Sequence, residues 1–582
     1  MKFDTLNATD VLAIQEHIAA LPERPLLSVV MTVYETPERF LREAITSIQT
    51  QLYEHWELCI ADDASPSPHV GRVLAELAEA NPRIRYVRRQ IRGHICAASN
   101  TALTLAQGSW VVLVDHDDIL PPNALYELAA EIAEHPDAAV IYSDEDQING
   151  AGVRRNPYFK PDFDPDLLLG QNFISHLSAY RRDLVNRVGG FREGFEGSQD
   201  HDLALRTTAV CGSSSVRHIP RILYHWRQNA GPASFSESAL ARCIDASRRA
   251  VAEHLAARGY AVKMTSAPLA ETYNRVIFPI PDPAPLVSVI IPTRDHASML
   301  RDCISGLLQR TNYPAIEILI ADNDSCEPET AALFAELAQD SRVSILSMPG
   351  PFNYAQLNNR AAVEARGEIL LLLNNDIDVI DPDWLVEIVS HAIRPEIGAV
   401  GCKLLYPNGL LQHGGTVLGI GKVADHLMTG ARETSPGLLG NLALLRSNSA
   451  VTAACLALRR EVWNAVGGMD QENLPVAFND VDLCLRIRAQ GLRIVWTPFA
   501  KLYHRESVSR GREIRGEKLA RFQREEDYMQ ARWGQILLTD PYYSPNYTLD
   551  DAQCNIASPP RRAKRWAKKL ASSHSSSGIQ SR

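Results

Sequence analysis

No stretch of this 582-residue chain stays apolar for the 18 or more residues that a membrane-crossing helix needs, so no transmembrane span is expected. The opening "MKFDTLNATDVLAIQEHIAA" mixes acidic residues with apolar ones and has no signal-peptide core. Ten cysteines are scattered without a CxxC or any other metal-like spacing, which fits reduced core thiols of a cytoplasmic protein. Positive charge is also short. The 59 Lys and Arg against 69 Asp and Glu leave a formal net charge of −10, which argues against nonspecific nucleic-acid binding. Neither a GxGxxG nor a GxxxxGKS/T stretch follows a first strand, which disfavours a dehydrogenase or an NTPase. What is present is ample: 45% hydrophobic and 22% charged residues suit a soluble globular protein. The length suggests two to four domains.

The chain repeats itself. "LLSVVMTVYE" at 26–35 returns as "LVSVIIPTRD" at 286–295, and "ELCIADDAS" at 57–65 as "EILIADNDS" at 317–325. "SNTALTLAQGSWVVLVDHD" (99–117) matches "NNRAAVEARGEILLLLNND" (358–376). "VGGFREGFEGSQDHDLALR" (188–206) matches "VGGMDQENLPVAFNDVDLCLR" (466–486), and "ILYHW" (222–226) matches "KLYHR" (501–505). Five blocks in one order indicate a tandem duplication. The expected division is an N-terminal helical segment (1–25), a first domain (26–234), a helical linker (235–285) and a second domain (286–512), then a C-terminal helical extension (513–558) and a basic, disordered tail (559–582).

Within each copy, strand-length apolar runs alternate with helical periodicity, which predicts α/β domains with a largely parallel sheet. Ligands of such sheets bind beyond the carboxyl ends of the strands, where "ADDAS", "ADNDS", "DHDD" and "NNDID" fall. Oxygen-rich clusters there suit magnesium or manganese, which neutralise a diphosphate leaving group. The competing reading, a solvated Asp-rich turn, loses ground because the cluster recurs as Asp115-His116-Asp117 and Asn374-Asn375-Asp376. Asp200 and Asp480 each open a predicted helix. They read as acidic N-caps, as general bases for a nucleophilic hydroxyl, or as both. His225 and His504 follow a strand-like run in each copy and read as structural residues or as ligands.

Together these blocks resemble the family 2 glycosyltransferases, twice over, across residues 26–230 and 286–510. Stretches such as "YSDEDQI", "LLLNNDIDVIDPDWL" and "DPYYSPNYTLD" look like bacterial tandem enzymes of O-antigen and rhamnose-rich polysaccharide synthesis. The resemblance implies two Rossmann-like GT-A domains and an inverting, metal-dependent transfer from a nucleoside diphosphate-sugar. By position, Thr32, Tyr34, Asp62, Asp63, Asp115, Thr293, Asp322 and Asn374 would bind the donor. Asp117, His225, Asp376 and His504 would hold the Mn2+ or Mg2+ ion, and Asp200 and Asp480 would be the bases. Three positions depart from the family pattern. Gln199 and Asn479 stand where Glu commonly precedes the base. Asn374 replaces the Asp115 of the first copy, with Asp378 as a further carboxylate nearby.

The implied acceptor is a lipid-linked glycan, and the donor a dTDP-rhamnose or a UDP-sugar. Residues 561–569 gather Arg561, Arg562, Lys564, Arg565, Lys568 and Lys569 around Trp566, which reads as a polar tail or as a peripheral contact with anionic membrane. Both copies are expected to be catalytic. The alternative keeps one catalytic domain and makes the other a carbohydrate-binding or scaffolding module.

Overall fold

The computed structural model describes residues 5–228, 237–505 and 516–567. The chain forms two compact units. One comprises the chain up to Gly259, Ser544–Asn546 and the segment from Ala557; the other comprises Tyr260–Tyr543 and Tyr547–Ile556. Among the described residues no helix is long and apolar enough to cross a membrane.

The first unit is built on eight strands: β1 (Leu27–Val33), β2 (Trp56–Asp62), β3 (Ile84–Arg88), β4 (Trp110–Leu113), β5 (Val140–Ile148), β6 (Arg154–Tyr158), β7 (Ser178–Arg181) and β8 (Val216–Arg227). They lie in the order β3-β2-β1-β4-β7-β5-β6, with β8 beside β5. The first four run parallel, as expected. Beyond them the sheet is mixed, because β7 runs antiparallel to both of its neighbours. Successive β1 residues face opposite cores. Leu27, Val29, Met31 and Val33 meet Leu41, Ile45, Val70 and Leu74 of helices Glu38–Gln49 and Pro68–Ala80, whereas Val30 meets Ala98 and Ala102 of helix His94–Leu103. Cover on both faces is why these strands read as continuous apolar runs.

The second unit repeats this plan. Strands 343–347, 316–322, 287–293 and 369–373 form the parallel half, and 455–459 then runs antiparallel to 369–373. The duplication extends to single hydrogen bonds. Ser28 donates to Glu57 and Ser288 to Glu317, both at 2.6 Å, and each hydroxyl accepts a glycine amide, from Gly108 at 2.9 Å and from Gly367 at 2.7 Å. A Cβ at Gly108 would stand 2.2 Å from the Leu26 carbonyl, and at Gly367 2.5 Å from that of Leu286, so neither turn accepts a side chain. The apolar cores beneath these ladders supply the main stabilisation, at about 25 cal/mol per Å² of apolar area removed from water.

Two expected segments differ. Helix Glu237–Ala257 is not a free linker but part of the first unit, where Ser198 donates to the Cys243 carbonyl (2.8 Å) and Arg192 pairs with Glu253 (2.6 Å). The hairpin of strands 263–267 and 270–277 belongs to the second unit. The tail expected to be disordered from 559 is packed through residue 567. Trp566 is buried against Tyr126 and donates to Asp10 (2.8 Å), Lys564 pairs with Asp10 (2.8 Å), and Arg565 pairs with Glu131 and Glu134. Arg561 donates to the Ser544 carbonyl and Arg562 to Asn546. These four cations are thus engaged by protein groups; Lys568 and Lys569 lie outside the described residues.

Candidate active site

In both units the acidic turns stand at the carboxyl ends of the parallel strands. Asp62 closes β2, is buried, and accepts the Ser65 amide at 2.9 Å; Asp322 accepts that of Ser325 at 3.1 Å. Asp63 is fixed by the Gly93 amide (2.8 Å) and by Arg89 (3.0 Å), and Arg92 stacks over Tyr34. Thr32, half-buried, is the next-to-last residue of β1, opposite Ala61.

Past β4 the chain runs into Asp115, His116, Asp117 and Asp118. The repulsion among these carboxylates is met separately at each. Burial resists ionisation of Asp115, but His176, 3.4 Å away, outweighs it and holds the carboxyl below its usual range. The same pair raises His176 to about 9 against the effect of burial, and its ring stacks on Tyr224 at 4.4 Å. Asp118 is buried and, with Asp115 and Asp117 nearby, is pushed up to about 8; it accepts from Tyr224 Oη (2.6 Å) and from the Arg227 amide (2.7 Å). Arg227 also donates to the Asp117 carbonyl (2.7 Å), and the Asp117 side chain stays partly exposed. A backbone bridge between Ile119 and His225 brings the histidine against this turn. Its Nδ1 stands 2.5 Å from Asp146. Asp200 sits in the first turn of helix Gln199–Cys211 and accepts from Asn172 (2.8 Å) and from the His201 amide (2.9 Å).

In the second unit, Thr293, Asn374, Asp376, Asp480 and His504 line a single cleft of about 910 Å³. Asp322 is not on its wall, and Asp378 is bound by Arg505 at 2.7 Å, so the extra carboxylate expected for the metal cluster is committed elsewhere. Asn375 donates to Thr293 (2.9 Å), and Asp480 accepts the amides of Ala453 (3.0 Å) and Val481 (2.9 Å) at the start of helix Asn479–Ala489. His504 Nδ1 donates to Gln412 Oε1 (2.7 Å), and its Nε2 lies 3.2 Å from Asn374 Nδ2. Nε2 also stands 3.1 Å from Asp376 Oδ1, so one imidazole nitrogen and one carboxylate oxygen converge on the cleft. A carboxylate oxygen beside one imidazole nitrogen is a donor set that a borderline ion such as manganese accepts, more readily than oxygen-selective magnesium, so the residues fit the ion.

The positions that usually hold Glu are occupied differently. Gln199 accepts the Gly197 amide (2.8 Å), and Asn479 donates to the Val476 carbonyl (2.9 Å), so both hold the loop before the base. Sequence reasoning missed His176, Asp146, Gln412, Tyr354, His426, Lys518 and Arg521. The last five line the second cleft, and Gln412 also touches His504; none of the seven lies in one of the five repeated blocks. Glu131, Glu134 and His135 also converge in the first unit, but Arg217 and Arg565 neutralise that group.

A curated protein of Sinorhizobium fredii, "Uncharacterized protein y4gI", is 46% identical over 94% of this chain and 60% of its own length. The O-antigen biosynthesis protein RfbC of Myxococcus xanthus is 40% identical over 96% of this chain and 43% of its own length. The chain thus spans about half the length of the curated relatives it matches. Among solved structures, S. aureus TarS 1-349 in complex with UDP-GlcNAc is 19% identical over 39% of this chain and 71% of its own, with a TM-score of 0.32. The mannosyltransferase PcManGT from Pyrobaculum calidifontis, with GDP-Man and Mn2+, is 20% identical over 43% and 71%, with a TM-score of 0.31. The family model for glycosyl transferase family 2 matches residues 28–189 and again 288–467, more than half of the chain, so this protein belongs to that family and carries its domain twice.

Proposed function

We propose that the chain is a bifunctional inverting glycosyltransferase that moves sugars from nucleoside diphosphate-sugars onto a growing, lipid-linked bacterial surface polysaccharide. The observation that carries this reading is the convergence of Asp376, His504, Asn374 and Asp480 on one cleft, with Asp117, His225 and Asp200 repeating three of these residue types in the first copy and Asp115 standing where the second has Asn374. The similarity to RfbC, an O-antigen biosynthesis protein, supports the polymer class, and dTDP-rhamnose or a UDP-sugar is the donor proposed.

Asp200 and Asp480 are each held on both oxygens, Asp200 by the His201 amide and Asn172 and Asp480 by the Val481 and Ala453 amides. Each takes the proton of the acceptor hydroxyl as its oxygen bonds to the anomeric carbon from the face opposite the diphosphate. The bond from that carbon to the diphosphate oxygen breaks in the same step, and the configuration inverts. Asp117 with His225, and Asp376 with His504, would hold a divalent ion whose charge stabilises the departing nucleoside diphosphate. Asp62 and Asp322 orient the nucleotide base.

A second reading, one catalytic copy beside a binding module, is favoured by a single observation: Asn374 replaces Asp115. The deciding experiment incubates the purified chain with a panel of nucleoside diphosphate-sugars and glycan acceptor, with Mn2+ and then EDTA, for wild type, Asp200→Asn and Asp480→Asn. Metal-dependent release of nucleoside diphosphate, with a different product missing in each variant, is expected. If one variant keeps every product, the single-catalyst reading replaces this one.

A further inference from the structure

The histidines at the two metal positions are backed by chemically different groups. His225 Nδ1 stands 2.5 Å from the carboxylate of Asp146, which is buried and pinned on its other oxygen by Arg154 at 2.6 Å. His504 Nδ1 faces the neutral amide oxygen of Gln412 at 2.7 Å. A carboxylate behind an imidazole raises the basicity of the opposite nitrogen and fixes its direction, whereas an amide fixes direction without adding charge. The coordinating nitrogens differ as well. His504 Nε2 has the Asn374 amide nitrogen 3.2 Å away, so an ion bound at Nε2 must displace that amide. In the first copy the corresponding position is Asp115, a carboxylate that has no hydrogen to offer to Nε2 and is held by His176 at 3.4 Å.

We propose that the two copies bind the divalent ion with unequal affinity, the first at least about tenfold the tighter, and that Asp146 and Gln412 are the positioning residues that set the difference. The inference rests on the metal-dependent reading of both sites. Its consequence is graded use: at limiting metal the first copy is loaded and the second is not.

The test titrates the full chain with Mn2+ alone and reads free ion by electron paramagnetic resonance. Two classes of site are expected. Asp117→Asn removes the tight class and Asp376→Asn removes the weak one. Asp146→Asn weakens the tight class about tenfold and leaves the weak class unchanged, with a wild-type urea unfolding transition of the first unit certifying its fold; Gln412→Glu tightens the weak class. Two classes of equal affinity, or a tight class unmoved by Asp146→Asn, would overturn the inference and leave the metal reading standing. No saturable binding at either site would overturn both.

Discussion

Asp202 and Arg206 stand one turn apart on the helix that opens at Gln199, their side chains 2.6 Å from each other, and Asp482 and Arg486 repeat the pair at 2.7 Å. Both carboxylates are almost wholly buried. Each arginine also donates to a carbonyl of the preceding loop, Val188 for Arg206 and Val466 for Arg486. The two aspartates of each motif therefore have separate tasks. The first is presented at the helix end, and the second ties the helix to the turn that carries the first.

That separation predicts opposite phenotypes. Asp202→Ala leaves the Arg206 and Arg192 guanidinium groups without their buried carboxylate and is expected to destabilise the first unit by about 3 kcal/mol, the lower end for a broken buried pair because both arginines keep some solvent contact. Asp200→Asn is expected to leave the urea midpoint unchanged while abolishing transfer by the first copy. Urea titration of both variants beside product analysis checks the pair. A midpoint shift in Asp200→Asn as large as that of Asp202→Ala would make Asp200 a cap and nothing more.

The Asp117 side chain is partly exposed and its carbonyl, not its carboxylate, holds Arg227. Asp117→Ala is therefore expected to keep the circular dichroism spectrum of the wild type. In a chain whose second copy is silenced by Asp480→Asn, the same change should lower kcat by at least about 100-fold. Loss of secondary structure in Asp117→Ala would assign the residue a structural role instead.

The elements and turns that could be read in advance are those whose partners are local or duplicated. Continuous apolar runs announce strands covered on both faces, and a cluster met twice, as at Asp115–Asp117 and Asn374–Asp376, identifies itself. The partners of those residues were not legible. His176 reaches Asp115 from the loop before β7, and Gln412 reaches His504 across 92 positions, neither within a repeating pattern. The C-terminal strap failed for the same reason. "RRAKRW" is a basic cluster only when read alone; its partners Glu131 and Asp10 lie 434 and 554 positions earlier.

The strap yields its own prediction. Trp566 fills a site formed with Ile14, Tyr126 and their neighbours in the main core of the first unit, and Arg221 lies over its ring. Trp566→Ala empties that site and is expected to cost about 3–5 kcal/mol of stability in the first unit. Urea unfolding followed by far-UV circular dichroism measures it. A loss below about 1 kcal/mol would show that the core closes without the strap.

The last prediction concerns pH. His218 is fully buried, which alone would lower its pKa, but Asp144 at 2.9 Å and Asp162 at 3.3 Å outweigh burial and raise it to about 9. Tyr142 stacks on its ring, and Asp144 is further held by the Lys160 amide and by Asn546 Nδ2, so the cation is locked into the first unit. The folded value lies above the unfolded 6.5. Protonated His218 therefore stabilises the fold in full below about pH 6.5, and that contribution fades as pH rises through about 9. Scanning calorimetry at about pH 6 and about pH 9.5 on the wild type and on His218→Gln tests this: the wild-type advantage in Tm should be large at the lower pH and shrink at the higher one. An advantage that stays constant or grows with pH would mean that His218 is held neutral, with Asp144 balanced by its other donors.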